Sequence, residues 1–537
     1  MTVRVDVAVV GSGFAGSLLA RILAGQGHRV ALLERGTHPR FAIGESSTPL
    51  ASLSLERLAT RYRLLDCYQL ATHGRWLTHH PALRRGLKRG FTFYRHHPGT
   101  PFADRGDDSE RLLVAASPND AVADTHWLRA DLDHHMVRAA VNAGVHYVDR
   151  LHLESLAHLD DGMHLTGARD GTPVALDAGF VIDASGGSGF VARHLGIGSA
   201  LDRLQTRSAL VFSHLAGVRL MVDLVPGLPA GPYPDDWAAV HHLIDEGWMY
   251  SLRFDDGITS AGFALTPDGL ASLEAGEAPA PDGDARRGAR LWRRLLQRYP
   301  TIGALFGSAT PCMPISFVPV MQHRVQRAAG ERFALLPSAF AFVDPLFSTG
   351  IAWSLRAVER LASCFEDGAG ARRLPAASAL ARYDALLGRE AEQIDRLVAG
   401  AYAAMGDFAR FEAQTMLYFA AVSYAESRER LAPHAESSWE GFLGVDDPVL
   451  APLPADSLSR LARADAGGEA TEAFSRWVAE SIAPRNVAGL SDPARHHRYP
   501  ADLDVLVARH ALLGLTRDQI VAALPALRGM APEPPFE

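Results

Sequence analysis

The sequence predicts an α/β protein, a Rossmann-type nucleotide-binding unit followed by a mainly helical region. Three observations predict it. The apolar, β-branched run "VDVAVV" passes directly into the glycine turn "GSGFAG" and then into "SLLARILAGQG", which has helical period. The run "RVALLER" follows and closes a strand–turn–helix–strand unit. Past residue 375 the texture changes, and Ile394, Leu397, Val398, Ala401, Met405 and Phe408 keep an i, i+3, i+4 rhythm.

Each glycine of the turn has a separate task. Gly11 allows the tight turn, Gly13 lets backbone N–H groups approach a pyrophosphate, and Gly16 lets helix and strand pack closely. Phe14 and Ala15 open the helix, whose N-terminus carries partial positive charge toward the phosphates. Glu34, at the end of the second strand, can accept hydrogen bonds from ribose hydroxyls and would repel a 2′-phosphate. This pattern fits a dinucleotide and does not choose between NAD and FAD.

Further elements follow in order. Residues 127–146 read as a helix. Residues 151–187 read as an antiparallel meander with Asp-Gly turns, returning to a buried strand in "FVIDASGG". "GWMYSLRFDDGITSAGFAL" reads as a hairpin around Asp256-Gly257, and residues 375–435 as long helices.

Bulk properties narrow the function. A chain of 537 residues exceeds a single core, so two or more packed units are expected. The net charge of −8 and the lack of basic runs argue against nucleic-acid binding. No apolar stretch reaches the roughly eighteen residues of a membrane span, and the N-terminus lacks a signal-peptide pattern. Cys67, Cys312 and Cys364 are isolated from one another, which fits a reducing cytoplasm and argues against a metal site. Paired histidines such as His79-His80 point apart and chelate poorly.

One feature resists a compositional explanation. Of 53 Lys and Arg residues, only Lys88 is a lysine. It stands in "RRGLKRGFTFYRHHPG". An amine can act as donor, nucleophile or proton carrier once burial lowers its pKa, whereas a guanidinium stays charged and is weakly nucleophilic.

The ordered set "IGESSTPL", "GLKRGFTFYRHHPG", "WLRADLD", "VIDASG" and "FVDPLFSTGI" resembles the flavin-dependent halogenase branch of the FAD monooxygenase superfamily. The resemblance covers residues 1–380 and selects FAD over NAD. It implies an FAD-binding domain (residues 1–60, 125–200 and 310–375) interleaved with a mixed-sheet substrate domain (61–124 and 201–309), with 376–537 as the helical C-terminal region. It places Ser46, Ser47, Arg129, Asp344, Pro345, Thr349, Gly350 and Ile351 around the flavin. It makes Lys88 the catalytic amine that receives oxidised halogen from the flavin side and passes it to the substrate.

Two departures shift the expected reaction. The halogenase WxWxIP signature is matched only by Trp248-Met249-Tyr250-Ser251-Leu252-Arg253. Pro337-Ser338 stands where single-component hydroxylases carry Gly-Asp, which points to a separate flavin reductase. The chain is thereby also similar to halogenase-like flavoproteins that oxidise a tryptophan of a partner protein during tryptophylquinone maturation. The leading expectation is a monooxygenase that oxygenates an electron-rich aromatic ring through a flavin C4a-hydroperoxide. That ring would be free or carried on a protein, against a wall of Phe91, Phe93, Trp248 and Tyr250. The alternatives are a true halogenase of an indole, pyrrole or phenol, and a flavin-binding assembly factor that docks through the "RRGLKRG" patch and the helical C-terminal region.

Overall fold

A computed structural model describes residues 3–103, 109–275, 284–366, 373–432, 437–463 and 468–530. In chain order the elements that position the site begin with β1 (Val3–Val10), helix α1 (Phe14–Gly25), β2 (Val30–Leu33) and helix α2 (Pro49–Tyr62). Short strands β3 (Arg85–Lys88), β4 (Gly90–Arg95), β5 (Arg111–Ala115) and β6 (Asp124–Trp127) follow. Helix Arg129–Asn142 leads to β7 (His146–Val148) and the meander β8 (Leu151–Leu159), β9 (Gly162–Arg169) and β10 (Thr172–Asp183). The substrate-side strands are β11 (Ala209–Ala216), β12 (Ala239–Ile244), β13 (Gly247–Arg253) and β14 (Ile258–Leu265).

Two large sheets carry these strands. In the first, β1 lies between β10 and β2, parallel to both, with Val10 opposite Asp183 and Leu33. The carboxyl ends of the three strands therefore align, which brings Gly11, Glu34 and Ala184 to one edge, the place where open α/β sheets bind ligands. All four residues of β2 are buried, as a parallel strand covered on both faces requires. The second sheet runs Thr310–Pro311, β11, β14, β13, β12, β4, β5 and Arg498–Tyr499. Its β12–β4 and β5–Arg498 pairings are parallel and its other pairings antiparallel, so it is mixed.

A small ribbon bridges the two. Strand β3 pairs antiparallel with β6, placing Lys88 opposite Asp124, and the other edge of β6 takes Ser46 as a bridge partner of His126. The lysine strand is thus one strand removed from the "GESS" segment.

Beyond residue 375 two long helices form, Ala377–Ala404 and Phe408–Leu431, in agreement with the apolar stripe. The second lays Phe411, Tyr418 and Phe419 on Phe91 and Phe93, with ring centroids 5.3–6.4 Å apart. Ending the chain near residue 375 would strip this cover from Phe91 and Phe93 and delete Glu390, leaving the buried Arg360 without its carboxylate partner. Such a truncation is expected to be insoluble. A soluble truncation that still retains FAD would show the region to be dispensable.

Candidate active site

The glycine turn is built as its spacing requires. Gly11 has φ +105°, and its N–H donates to the Leu33 carbonyl at 2.8 Å. A Cβ on Gly11 would lie 2.4 Å from the Ala184 carbonyl oxygen, and one on Gly16 only 2.2 Å from that of Gly11. Both glycines are fixed by close backbone packing. Gly13 differs, because a Cβ there meets no backbone and comes no nearer than 3.4 Å to Arg129 Nη2. The freedom at Gly13 therefore belongs to whatever lies on the turn.

Glu34 is buried beside that turn. It accepts from the Gly36 N–H (2.8 Å), the Ser12 hydroxyl (2.7 Å), the Ser12 N–H and Arg40. Burial alone would lift its pKa. The Gly36 N–H, the Arg40 guanidinium and the two Ser12 donors outweigh that and hold it down at about 2. It is an ionised acceptor, as ribose hydroxyls require.

Arg129 ties this turn to the next segment. Its Nε and Nη2 bind Asp133 at 2.8 and 2.9 Å, its Nη1 binds the carbonyls of Ile43 and Gly44, and its guanidinium lies over Phe14. Beyond Gly44, Ser47 exchanges hydrogen bonds with Thr125 on β6, while Ser46 Oγ is buried without a partner among the described residues. Ser348 has φ +53°, and Thr349, Gly350 and Ile351 then open a helix running to Cys364. Gly350 is exposed with open space beside it, so the first N–H groups of this long helix face an accessible volume that favours an anionic group. The orphan Ser46 hydroxyl, the Gly13 cradle and this helix end fit a dinucleotide that carries a flavin.

The Asp344 side chain faces elsewhere. It accepts from Ser208 (3.0 Å), Tyr402 (2.9 Å) and the Leu346 N–H, and Trp248 Nε1 in turn donates to the Tyr402 oxygen at 2.9 Å. Burial pushes its pKa up to about 7 against these bonds. Asp344 anchors the loop to the C-terminal helices. Pro345 accepts the Ser348 N–H in the turn that follows.

Lys88 is fully buried at the end of β3. Its Nζ donates to the Ser47 carbonyl at 2.6 Å and lies 4.0 Å from the Phe91 ring centroid. Burial lowers its pKa and raises that of Asp124 opposite, and each group opposes the shift in the other. Asp124 borders a cavity of about 760 Å³ shared with Ser52, Phe91, Tyr418, Phe419 and Glu426. The amine thus stands between the "GESS" segment and Phe91, one of the residues that border the cavity; Lys88 itself does not line it.

Residues 6–330, more than half of the chain, match the family described as FAD dependent oxidoreductase. This chain belongs to that family. It is 31% identical over 350 residues to tetracycline 7-halogenase of Kitasatospora aureofaciens, a match covering 64% of this chain and 60% of that protein. It is 28% identical over 346 residues to monodechloroaminopyrrolnitrin halogenase PrnC of Pseudomonas fluorescens, covering 64% and 59%. These matches span about 60% of the relatives' own lengths. The fold is that of a point mutant of halogenase PltM in complex with FAD, with TM-score 0.80, 25% identity and coverage of 92% of this chain and 99% of that one.

The FAD-dependent oxidoreductase carries several expected site residues in other settings. Phe91 borders the cavity, but Phe93, Trp248 and Tyr250 do not. Phe93 stacks on His241 at 4.6 Å under the C-terminal helix, and Trp248 is held by Tyr402. These three are core, as aromatic residues in central strands usually are. The "RRGLKRG" patch is not an open basic surface, since Arg84, Arg85 and Arg89 pair with Asp131, Asp255 and Asp120. Asp124 had no sequence signal. Its place became visible only through the β3–β6 register.

The Glu34 environment sets a pH expectation. A carboxylate with a lowered folded-state pKa contributes stability above its unfolded value, and that stability is lost as pH falls from about 4.5 toward 2. The loss should be on the order of 2–3 kcal/mol. Denaturant unfolding across this range should fall more steeply for wild type than for Glu34→Gln. Parallel curves would show that Glu34 is not held ionised.

Proposed function

We propose that the chain is a flavin-dependent halogenase of an electron-rich aromatic ring. The observation that carries this reading is Lys88, fully buried with its amine on the Ser47 carbonyl and 4.0 Å from the centroid of Phe91, which borders the cavity together with Asp124. The halogenase relatives support it over the oxygenation expected from the altered tryptophan signature. Trp248 remains in that signature and is wired through Tyr402 to the 342–351 loop.

Bound FAD, reduced by a separate reductase, supplies the two-electron chemistry by which O2 and halide yield hypohalous acid and water. The chain's own residues do the rest. Gly11, Gly13, Phe14, Ala15, Gly16 and Glu34 hold the dinucleotide. Ser46, Ser47, Arg129 and the Thr349–Ile351 helix end would hold its ring. Phe91, Tyr418, Phe419 and Val422 give the cavity an apolar side against which a ring can pack. Lys88 donates a hydrogen bond to hypohalous acid and aims the halogen at the ring in the cavity. The related halogenase PltM has been solved in complex with phloroglucinol and FAD, which supports a small phenolic ring as occupant.

Halide dependence tests the reading. With reduced FAD and O2, conversion of an aromatic substrate should require chloride or bromide. Conversion at the same rate without halide would return the chain to the monooxygenases.

A further inference from the structure

One buried carboxylate that borders the cavity has no assigned task. Asp124 is 2% exposed. Its Oδ1 accepts the Ser52 hydroxyl at 3.0 Å, and its Oδ2 has no partner among the described residues. A buried carboxylate oxygen without a donor costs about 1–3 kcal/mol or more, so the site favours an occupant that brings one. Asp124 is the direct cross-strand partner of Lys88 in an antiparallel ribbon. Side chains so paired start about 4.5–5.5 Å apart at Cβ. Phe91, which borders the same cavity, has its ring centroid 4.0 Å from the lysine Nζ, so a ring bonded to Asp124 and resting on Phe91 lies close to the amine. Phe91 and Phe419, with centroids 5.3 Å apart, supply an aromatic surface beside it.

We propose that Asp124 is a second catalytic residue, which binds the substrate's phenolic O–H and takes its proton as the ring is halogenated. The proposal rests on the halogenase reading. It names a phenol because a phenolic proton, with a pKa of about 10, is within reach of a buried carboxylate. An indole or pyrrole N–H is a far weaker acid and could only donate a hydrogen bond. The pKa of Asp124, raised by burial, helps this transfer.

The step balances. The phenol gives its O–H proton to Asp124 while the ring carbon ortho or para to oxygen attacks the halogen of hypohalous acid. A carbon–halogen bond forms and the oxygen–halogen bond breaks. The departing hydroxide takes a proton from the Lys88 ammonium and leaves as water. The ring C–H proton then passes to the Lys88 amine and Asp124 returns its proton to oxygen. Aryl halide and water are the products, and both residues recover their starting states.

The test is a competition between a phenol and its O-methyl ether. Holoenzyme, reduced FAD, O2 and bromide are supplied, and each rate is divided by that compound's rate with free hypobromous acid. Wild type should prefer the phenol by about 10²–10⁴-fold, the usual worth of a positioned base. Asp124→Asn should lose the preference, and Asp124→Glu should recover part of it. Equal normalised rates in wild type, or a preference that survives in Asp124→Asn, would overturn the proposal. The wild-type comparison suffices if neither variant folds. Trapping hypobromous acid with a thioether in the same wild-type reaction separates the two ways of failing. Trapped oxidant without phenol preference removes Asp124 alone, while no trapped oxidant removes the halogenase reading and this proposal with it.

Discussion

Lys88→Met should retain FAD and consume O2 with reduced flavin, yet lose halogenated product by about 10²–10⁴-fold, the usual worth of one positioned proton donor. Methionine fills the slot without the amine. Lys88 is fully buried with its Nζ bonded only to a carbonyl at 2.6 Å, so its charge carries a desolvation cost that methionine lacks. Asp124 opposite loses the opposing charge in the same substitution, so the two effects offset and thermal stability should change little while product disappears. Lys88→Arg should fare worse, because a guanidinium must occupy the space between the Ser47 carbonyl and a ring centroid 4.0 Å from Nζ. Product mass, oxygen uptake and melting temperature measured together check this. Normal product from Lys88→Met would make the lysine a core residue and nothing more.

Gly13→Val should abolish FAD binding and leave the apoprotein folded. The substituted Cβ meets only the Arg129 and Asp133 side chains, at 3.4 and 3.7 Å, so the turn itself can accept it. The two methyl groups would occupy the path of the pyrophosphate. Gly16→Val makes the contrast, since its Cβ would sit 2.2 Å from the Gly11 carbonyl and the turn cannot form. Released flavin, read after denaturation, should be absent from both. Far-ultraviolet circular dichroism should be native for the first and degraded for the second. A yellow Gly13→Val protein would place the pyrophosphate elsewhere.

What was legible in the sequence is what short-range spacing encodes. The turn glycines, Glu34 and the apolar stripe past residue 375 are local patterns, and they took their expected places in the fold. The lysine was legible because it is the only one in an arginine-rich chain. The rest depends on contacts that no local pattern carries. Asp344 sits in a loop that reads as cofactor-facing, but Tyr402, 58 residues later, captures its side chain. Trp248 is drawn off by the same tyrosine. Asp124 gained meaning only from its register with Lys88. The Arg498–Tyr499 strand, in an Ala/Pro/Arg-rich region read as helical, pairs with β5 and extends the mixed sheet.

The central claim is that the oxidising power leaves this protein as halogen rather than as oxygen on the ring. One product spectrum tests it most directly. Wild-type protein is given reduced FAD, bromide and ¹⁸O2 together with a phenol. A halogenase gives a product with the bromine isotope doublet and no ¹⁸O. A product that carries ¹⁸O and no bromine would contradict the claim.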